Sequence, residues 1–425
     1  MIDIRILRDT PEKIRENLEK RNITNFPFEE LLDLDKMRRE LIAKNQKLKE
    51  EKNRISLEVA KAKGSGMEVQ EIISRMRLTS DEITENDKQI DSTNTKLNEL
   101  MVALPNFIDP SVPVGKDEIA NLEVSSWGET KPGTIDHIDI SAEFDLIDVE
   151  RAAKTSGARF YFLKRDLARL NYALISAALD YLRSRGFILI QPPYMLKREA
   201  IGGAVILGDF EEVIYKIENE DLYLIGTSEH AIAAMHMDEI FSGSDLPIRY
   251  AGVSPCFRKE AGAHGRDTKG IIRVHQFEKV EQFVYCKPSE SENEHKILLQ
   301  NAEGFMRELG IPHRVMLLSS GDTGKVSAKT FDIEGWFPSQ GKYRELISCS
   351  NCTEFQSRAL GIKYREKAHE ESRFLHTLNS TLVATERTLA ALIENYYRKD
   401  ARVIEIPKLL VSYMNSQAVI TPVKN

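Results

Sequence analysis

The chemically richest stretch of the sequence is Pro255–Glu281, which reads PCFRKEAGAHGRDTKGIIRVHQFEKVE. An apolar run that ends near Arg258 predicts one strand, and a second strand is predicted to begin at Ile271. The two would be joined by a basic, glycine-rich turn through Gly262, Gly265 and Gly270. Such a hairpin would present Arg258 and Arg273 from neighbouring strands, and guanidinium groups suit phosphate because their donors are planar and permanently charged. The stretch therefore predicts a phosphate site, against the alternative of an ordinary hairpin with surface charge.

Weaker patterns elsewhere do not predict sites. Gly321–Val326 is slightly similar to a phosphate-binding loop, but it lacks the four-residue gap before the second glycine and the Ser or Thr after the lysine. Cys349 and Cys352 form a lone CxxC pair, whereas zinc would need two more ligands at a recognisable spacing. These cysteines are predicted to be buried structural thiols. The nine histidines form no HxxxH or HxxEH pattern, so we expect no zinc site.

The elements that must position the chemistry are short apolar runs between helical patterns. Strand-like runs occur at Phe187–Pro193, Leu222–Thr227 and Arg273–Cys286, and helical patterns at Asp166–Arg185 and Leu382–Arg398. Strands clustered in the middle with helices at the flanks favour an α+β fold, with a central antiparallel sheet flanked by helices.

Residues 1–104 have a different composition from residues 105–425, with no Trp, Tyr or Cys and only two prolines. Apolar residues recur there every seven positions in two columns, Leu34, Leu41, Leu48, Ile55 and Ala62, then Val69, Met76, Ile83, Ile90, Leu97 and Leu104. This repeat is typical of helices that pack along a narrow seam, and Gly64-Ser65-Gly66 predicts a tight reversal between them. We predict two domains: an antiparallel helical hairpin (a coiled-coil arm) over 1–104, roughly 45–50 Å long, and an α+β domain over 105–425.

Charge is distributed unevenly along the predicted arm. The whole chain carries −7, which excludes a globally basic coat for nucleic acid. From Lys36 to Lys63, however, ten basic residues accompany four acidic ones, whereas Glu68–Glu99 has four basic and eight acidic residues. The first helix is either a solvated charged face or a basic ridge that follows a phosphate backbone.

Several classes of protein are excluded by composition. No apolar run approaches the ~20 residues that cross a bilayer, and the N-terminal sequence lacks the apolar core of a signal peptide. Four cysteines are too few for a disulfide framework in a chain of 425 residues. We therefore expect a soluble, cytoplasmic protein with no membrane contact.

Taken whole, FRKEAGAHGRDTKGIIRVHQFEKVEQF resembles motif 2 of the class II aminoacyl-tRNA synthetases, and specifically that of the seryl-tRNA synthetase family. The resemblance continues across nearly the entire chain. GARFYFLKRDLARL is similar to the opening of the family's catalytic domain, FILIQPP to motif 1 with its proline at Pro192 or Pro193, LIGTSE to the serine-binding loop, RELISCSNCTEFQSRALGIKYR to the metal-linked ATP segment, LNSTLVATERTLAALIENY to motif 3, and the N-terminal hairpin to the tRNA-binding arm.

For ATP, the resemblance implies that Arg258 holds the α-phosphate and the serine carboxylate, and that Arg387 reaches the γ-phosphate. It implies that Glu345 and Ser348 bind Mg²⁺, a hard cation that prefers oxygen ligands. Arg258, Arg387 and Glu345 would be the catalytic residues. The remaining implied ATP contacts are Lys259, Glu260, Val274, Phe277, Leu346 and Ile347, with Phe277 stacking on the base.

For the amino acid, the resemblance implies a serine site composed of Thr227, Ser228, Glu229, Arg258, Glu281, Asn379 and Thr381. A carboxylate such as Glu281 can accept hydrogen bonds from both an ammonium and a hydroxyl group. A site built to pair that hydroxyl penalises alanine, because buried polar groups are left unmatched.

The implied activity is ATP- and Mg²⁺-dependent formation of seryl-adenylate, followed by transfer of serine to the 3′ end of tRNA(Ser), and of tRNA(Sec) where that tRNA exists. The family resemblance also implies a homodimer through motif 1. The arm would bind tRNA, with candidate contacts at Lys44, Lys47, Lys52 and Arg54. The chain departs from the family pattern in lacking the glycine-rich version of motif 3 and in having Glu386 before Arg387. It does not resemble the methanogen-type enzymes that bind a catalytic zinc.

Three alternatives come from other classes. A ligase that charges a carrier protein should lack the long arm of residues 28–104. A catalytically dead paralogue acting as a binding protein should have lost Arg258, Glu345 or Arg387, and all three are present. A coiled-coil dimerisation protein would leave residues 150–400 unexplained.

Overall fold

The computed structural model describes residues 1–64, 70–206, 208, 212–260 and 270–423. The chain divides into two compact units. The helical unit comprises Ile2–Leu18 and Ile23–Leu104, and the sheet unit comprises Met1, Glu19–Asn22 and Pro105–Asn425. Within the described residues, we find no helix whose length and apolar character would let it cross a membrane.

The helical unit is built on two long antiparallel helices. Its helices are α1 (Ile4–Asp9), α2 (Pro11–Lys20, whose last two residues belong to the sheet unit), α3 (Phe28–Gly64) and α4 (Gln70–Ala103). Pairs between α3 and α4 run in opposite order along the two helices. They are Arg38 Nε–Asn94 Oδ1 at 2.6 Å, Lys44 Nζ–Glu82 Oε1 at 2.9 Å and Glu58 Oε2–Arg75 Nη2 at 2.6 Å. The predicted antiparallel hairpin is therefore confirmed.

Each helix of this hairpin contributes one column of apolar residues to the seam, as the heptads predict. Leu34, Ile55, Ile83 and Leu97 are buried, while Leu41 and Leu48 are half-buried. The other positions of the α4 seam are polar and also buried, at Thr79, Asn86 and Thr93. Cross-helix hydrogen bonds and ion pairs join the two helices beside this apolar seam. The predicted turn residues Ser65 and Gly66, together with Val69, lie outside the described residues, as does the Ala62 side chain.

The sheet unit contains nine helices among its described residues. These are α5 (His137–Phe144), α6 (Val149–Ser156), α7 (Arg165–Arg183), α8 (Arg198–Ala204), α9 (Ser228–Ala234), α10 (Ser291–Glu308), α11 (Phe355–Ala359), α12 (Thr385–Tyr396) and α13 (Lys408–Val411). Short 3₁₀ turns occur at Glu118–Ala120, Gly243–Asp245, Pro288–Glu290 and Ser412–Met414.

The strands of this unit form one large sheet and several small ones. They are β1 (Leu122–Trp127), β2 (Ile147–Asp148), β3 (Phe162–Leu163), β4 (Ile188–Ile190), β5 (Met195–Leu196), β6 (Tyr223–Leu224), β7 (Ile240–Ser242), β8 (Ile248–Phe257), β9 (Gln276–Cys286), β10 (His313–Leu317), β11 (Lys329–Phe337), β12 (Lys342–Thr353), β13 (Lys363–Arg365), β14 (Arg373–Phe374), β15 (His376–Ala384), β16 (Tyr397–Arg398), β17 (Val403–Glu405) and β18 (Val419–Ile420). The large sheet has eight strands in the order β1-β10-β11-β12-β15-β9-β8-β4.

This sheet confirms the predicted α+β fold. Every pair in it is antiparallel except β4 and β8, which run parallel. The central strands β9 and β15 are buried along most of their length, because α7, α10 and α12 pack around the sheet. Both strands also carry buried polar side chains, among them Lys279, Glu281 and Asn379.

Two predicted element boundaries are wrong. The helix predicted from Leu382 begins at Thr385, because the three preceding residues complete β15 and pair with β9 as far as Ala384↔Lys279. The strand predicted from Ile271 begins at Gln276. Before that point the chain leaves the strand ladder, and the His275 amide donates to the Arg159 carbonyl at 3.1 Å.

Candidate active site

A cavity of about 350 Å³ opens in the sheet unit among β8, β9, β12, β15 and the N-termini of α9 and α12. Eleven sequence-predicted site residues line it: Thr227, Glu229, Arg258, Phe277, Glu281, Glu345, Leu346, Ser348, Asn379, Thr381 and Arg387. These residues come from segments up to 160 positions apart in the printed numbering, from Thr227 to Arg387. The fold therefore brings together most of the residues that the resemblance implies.

One end of the cavity is organised around the carboxylate of Glu229. Thr227 caps helix α9, and its Oγ1 accepts a hydrogen bond from the Glu229 amide at 3.2 Å. Glu229 Oε1 accepts two further hydrogen bonds, from Asn379 Nδ2 and Gln356 Nε2, both at 3.1 Å. Gln356 is itself fixed, since its Oε1 accepts from Thr377 Oγ1 at 2.6 Å. The carboxylate is held in one orientation by neutral donors and has no cationic partner within this group.

A second carboxylate, Glu281, faces the same end of the cavity. Thr381 lies opposite Glu281 in the β15–β9 register, and its hydroxyl donates to Glu281 Oε2 at 3.3 Å. Lys279 Nζ forms a close ion pair with the same oxygen. Both members of this pair are buried, with side-chain exposures of 8% and 1%. The Thr381 hydroxyl and the Lys279 ammonium therefore both contact one oxygen of the Glu281 carboxylate.

The nearby Glu281 carboxylate raises the cost of ionising Glu229. The pKa of Glu229 is raised to about 7, first because its surroundings exclude water and second because Glu281 is nearby. Lys279 and Arg258 oppose that shift. A small ammonium ion placed between the two carboxylates would be attracted by both.

The other end of the cavity carries two arginines. The Arg258 guanidinium lies 5.3 Å from the centroid of the Phe277 ring, and its Nε donates to the Gly226 carbonyl at 3.3 Å. Arg387, in the first turn of α12, lies 3.3 Å from Glu345 Oε1 and donates to the carbonyl oxygens of Glu345 and Ile272 at 3.1 and 3.3 Å. The cavity thus pairs an acidic end with a cationic end, as a zwitterionic substrate and a polyphosphate would require.

A group of oxygen ligands lies beside Arg387. Strand β12 has a bulge at Leu346, where the pairing with β11 shifts between Ile333 and Glu334. The extra residue lets Glu345 and Ser348, three positions apart, both line the cavity. Asp332 lies opposite Ser348 in the register, and its Oδ1 is buried without a hydrogen-bond partner. Burial, and then the proximity of Glu345, raise the pKa of Asp332, whereas Arg387 lowers that of Glu345.

These oxygens fit a hard divalent cation. The Oδ1 atom of Asp332, buried without a hydrogen-bond partner, is the observation that decides this, since a buried acceptor beside a second carboxylate is stabilised by a cation. No cluster of three or more His, Cys, Asp or Glu side chains able to hold a metal occurs among the described residues. The candidate oxygen ligands here are the carboxylates of Asp332 and Glu345 and the hydroxyl of Ser348.

Five sequence-predicted residues do not line the cavity. Ser228 is fully buried and donates to the Gly252 carbonyl at 3.3 Å, and Val274 and Ile347 are buried in the core. Lys259 Nζ lies 5.9 Å from the centroid of the Tyr215 ring. Glu260 Oε2 accepts from Arg273 Nη1 at 2.8 Å.

The contact between Glu260 and Arg273 corrects one expectation about the predicted phosphate-binding hairpin. Arg258 lines the cavity, but Arg273 is paired with Glu260 and does not line it. The intervening turn, including Gly262 and Gly265, lies outside the described residues.

Some residues of the site were missed from the sequence. Lys279 could have been found, because Phe277, Lys279 and Glu281 alternate along β9 and must share one face. Gln356 and Asp332 gave no signal of this kind, since their partners are distant in sequence. The four cysteines are buried and free, as predicted.

Comparison with known proteins gives two family matches. The model of the tRNA synthetase class II core domain (G, H, P, S and T) matches residues 212–396, and that of the seryl-tRNA synthetase N-terminal domain matches residues 1–108. A protein of Nitrosopumilus maritimus named serine–tRNA ligase is 52% identical over 423 residues, covering 99% of this chain and 100% of the relative.

Two solved structures are similar along the whole chain. One is the seryl-tRNA synthetase of Pyrococcus horikoshii complexed with ATP, with a TM-score of 0.92, 42% identity and 100% of both chains covered. The other is the cytoplasmic serine–tRNA ligase of Naegleria fowleri in complex with AMP. It has a TM-score of 0.86 and 35% identity, covering 100% of this chain and 99% of that one.

Proposed function

We propose that this chain, which belongs to the seryl-tRNA synthetase family, is a serine–tRNA ligase that uses ATP. It activates L-serine to seryl-adenylate with release of diphosphate, and then transfers the seryl group to the 3′ end of tRNA(Ser). Transfer to tRNA(Sec) is part of the proposal wherever that tRNA is present. The observation that carries the proposal is the cavity itself, in which an acidic end suited to an amino acid adjoins a cationic end suited to phosphates.

Activation requires little proton transfer. The serine carboxylate attacks the α-phosphorus of ATP and diphosphate leaves, so catalysis consists mainly of positioning and charge stabilisation. Arg258, at the cationic end of the cavity, contacts both the serine carboxylate and the α-phosphate. Arg387 holds the γ-phosphate and is kept in place by the Glu345 and Ile272 carbonyls. Phe277 offers its ring to the adenine, with Lys259, Glu260 and the main chain near Val274 on the same side.

Besides its carboxylate, serine is recognised by its ammonium and its hydroxyl. Its ammonium binds between Glu229 and Glu281, and its hydroxyl pairs with Glu281 and Thr381. Alanine has no hydroxyl to offer these buried polar groups, and such a loss costs more than a missing methyl group would. Asn379 and Gln356 contribute by orienting Glu229.

ATP-using enzymes of this class require a divalent cation, and Mg²⁺ is the ion proposed here. Glu345 and Ser348 would hold it, with Asp332 next to Ser348. Bound with ATP, the ion neutralises charge on the phosphate oxygens. The proposal includes no zinc.

The remaining proposals concern the tRNA and the second subunit. The domain boundary at 104/105 separates a tRNA-binding arm from the catalytic domain, and Lys44, Lys47, Lys52 and Arg54 are its candidate phosphate contacts. Such contacts follow backbone shape and charge more than base edges. We also propose that the active form is a homodimer and that the protein acts in the cytoplasm.

The test is ATP–diphosphate exchange measured with each of the twenty amino acids, using Arg258→Ala as the inactive control. We expect exchange with serine alone, followed by attachment of labelled serine to tRNA(Ser). Exchange with threonine or proline but not with serine would overturn the assignment, as would exchange without any subsequent charging of tRNA.

A further inference from the structure

A buried histidine outside the cavity links two of the segments that form the cationic end of the cavity. His137 begins helix α5 and is 3% exposed. Its Nδ1 lies 3.0 Å from Glu394 Oε1, and its backbone amide donates to the same oxygen at 3.2 Å. Glu394 Oε2 accepts from the Ser339 amide at 3.1 Å, and the Glu394 side chain has no exposed area. The Glu394 carboxylate therefore has three polar contacts and fixes the imidazole ring.

The other ring nitrogen faces the start of the segment that leads into β9. The Ile271 amide donates to His137 Nε2 at 3.4 Å. Nε2 accepts this bond, which leaves Nδ1 as the nitrogen that faces Glu394. The preceding residue, Gly270, has φ +96°, and a Cβ there would lie 2.3 Å from Nε2. A glycine is needed at this position so that the backbone can approach the ring.

The same short segment is held from its other side by the catalytic machinery. Ile272 follows directly, and its carbonyl accepts from Arg387 Nε at 3.3 Å. Arg387 and Glu394 are seven residues apart in α12, so they lie on one face of that helix. Helix α12 therefore holds Ile271 through Glu394 and His137, and Ile272 through Arg387.

We propose that His137 is a positioning residue for ATP, which acts by anchoring Ile271 to the Glu394 carboxylate of helix α12. The anchor fixes the approach to β9, and with it Val274 and Phe277, relative to Arg387. The inference rests on the proposed function in that ATP is the substrate at this end of the cavity. His137 does not touch the cavity and is not a catalytic residue.

Two substitutions distinguish the roles of the two ring nitrogens of His137. His137→Asn retains a donor near the Nδ1 position and loses the Nε2 acceptor, whereas His137→Gln can place its carbonyl oxygen near Nε2. We expect His137→Asn to raise KM for ATP about tenfold, the effect of one lost hydrogen bond. KM for serine should stay within about twofold, and the Ile271 amide should exchange hydrogen faster. His137→Gln should restore part of the ATP affinity.

The control is His313→Asn, another fully buried histidine, whose Nδ1 bonds the Ile311 carbonyl at 2.8 Å. It should lower the melting temperature without changing KM for ATP. An unchanged KM for ATP in folded His137→Asn would overturn the proposal, as would equal rises in KM for ATP and serine. If His137→Asn does not fold, Glu394→Gln is measured in its place and must show the same selective change.

The proposed function can fail independently of this inference. If the wild-type protein shows no serine-dependent exchange, the assignment of the reaction is wrong. ATP binding measured by calorimetry then still decides whether His137→Asn weakens the nucleotide site. If the wild type is active and calorimetry gives equal ATP affinities for both proteins, only the anchor is wrong.

Discussion

Glu229 and Glu281 face the same small volume, yet their partners differ. Glu281 is paired with Lys279, while Glu229 is held only by the neutral amides of Asn379 and Gln356. The pKa of Glu229 is consequently raised to about 7, by burial and then by Glu281. Serine binding should therefore depend on whether this one carboxyl group is ionised.

This gives a pH prediction for the amino-acid step. A raised carboxyl pKa means that the group is neutral below about pH 7 and charged above it. Because the serine ammonium requires the charged form, kcat/KM for serine should fall about tenfold per pH unit below 7 and level off above it. Glu229→Gln should give a lower, flat profile in ATP–diphosphate exchange at saturating ATP. The same inflection in Glu229→Gln would show that another group is responsible.

Replacing Lys279 should change KM for serine but not KM for ATP. Its ammonium neutralises Glu281 and opposes the rise in the pKa of Glu229. Lys279→Met should raise KM for serine at pH 7 by tenfold or more, as expected for a broken buried ion pair, and Lys279→Arg should recover part of it.

The matched control for Lys279 is Lys287→Met, which breaks the partly exposed pair with Glu366 at 3.0 Å. That variant should leave both Michaelis constants unchanged. Equal increases for serine and ATP in Lys279→Met would instead indicate a general loss of structure.

Glu386 provides a stability prediction. It is 2% exposed, its Oε2 has no hydrogen-bond partner, and burial raises its pKa to about 7 against the opposing charge of Arg387. The folded state thus holds this proton more tightly than the unfolded state, so stability is lost as pH rises from about 4.5 to 7. Glu386→Gln should therefore raise the melting temperature at pH 8 and leave it nearly unchanged at pH 4. Calorimetric melts at both pH values are the measurement, and a larger gain at pH 4 would contradict it.

At the scale of elements, the β-bulge at Leu346 shows what the sequence could and could not predict. Family resemblance placed Glu345 and Ser348 together, but three positions apart in a regular strand would put them on opposite faces. The bulge that resolves this is visible only in the pairing of β11 with β12. The same pairing places Asp332 opposite Ser348, although no sequence motif had pointed to Asp332.

The helical hairpin and Lys279 are the opposite case, because local sequence patterns point to both. A seven-residue apolar repeat dictates the hairpin, and alternation along β9 could have identified Lys279. By contrast, the Gln356–Glu229 and His137–Glu394 contacts join residues 127 and 257 positions apart. No local pattern encodes such contacts, because they arise only when helices and strands assemble.

The basic helix α3 carries the prediction for tRNA. Lys44 is 54% exposed although it pairs with Glu82, and Arg54 is 70% exposed with only a 3.9 Å contact to Glu51, so replacing them should cost little stability. Changing Lys44, Lys47, Lys52 and Arg54 together to Gln should raise KM for tRNA tenfold or more and flatten its salt dependence. Serine-dependent exchange should be unaffected. The comparison is a variant with Arg75, Arg77, Lys88 and Lys96 of α4 changed to Gln, and an equal effect there would remove the special role of α3.

For the whole molecule, the net charge of −7 is the wrong quantity from which to judge nucleic-acid binding. Within the hairpin the basic excess lies in Lys36–Lys63, and the acidic partner helix lies against it. A protein of this kind can remain acidic overall and still offer one extended surface to an RNA backbone.

The proposed homodimer is the last property that can be tested at this scale. Strand β4 ends the order of the large sheet, and its residues Ile188 and Leu189 are 54% and 41% exposed. An apolar edge strand of this kind invites pairing with another chain, so we place the subunit contact there. Leu189→Asp should convert the protein from two chains to one in mass photometry and reduce tRNA charging. Ile119→Asp, at an apolar residue that is 88% exposed elsewhere on the unit, should leave the dimer intact. A Leu189→Asp protein that stays dimeric would require the contact to lie on another surface.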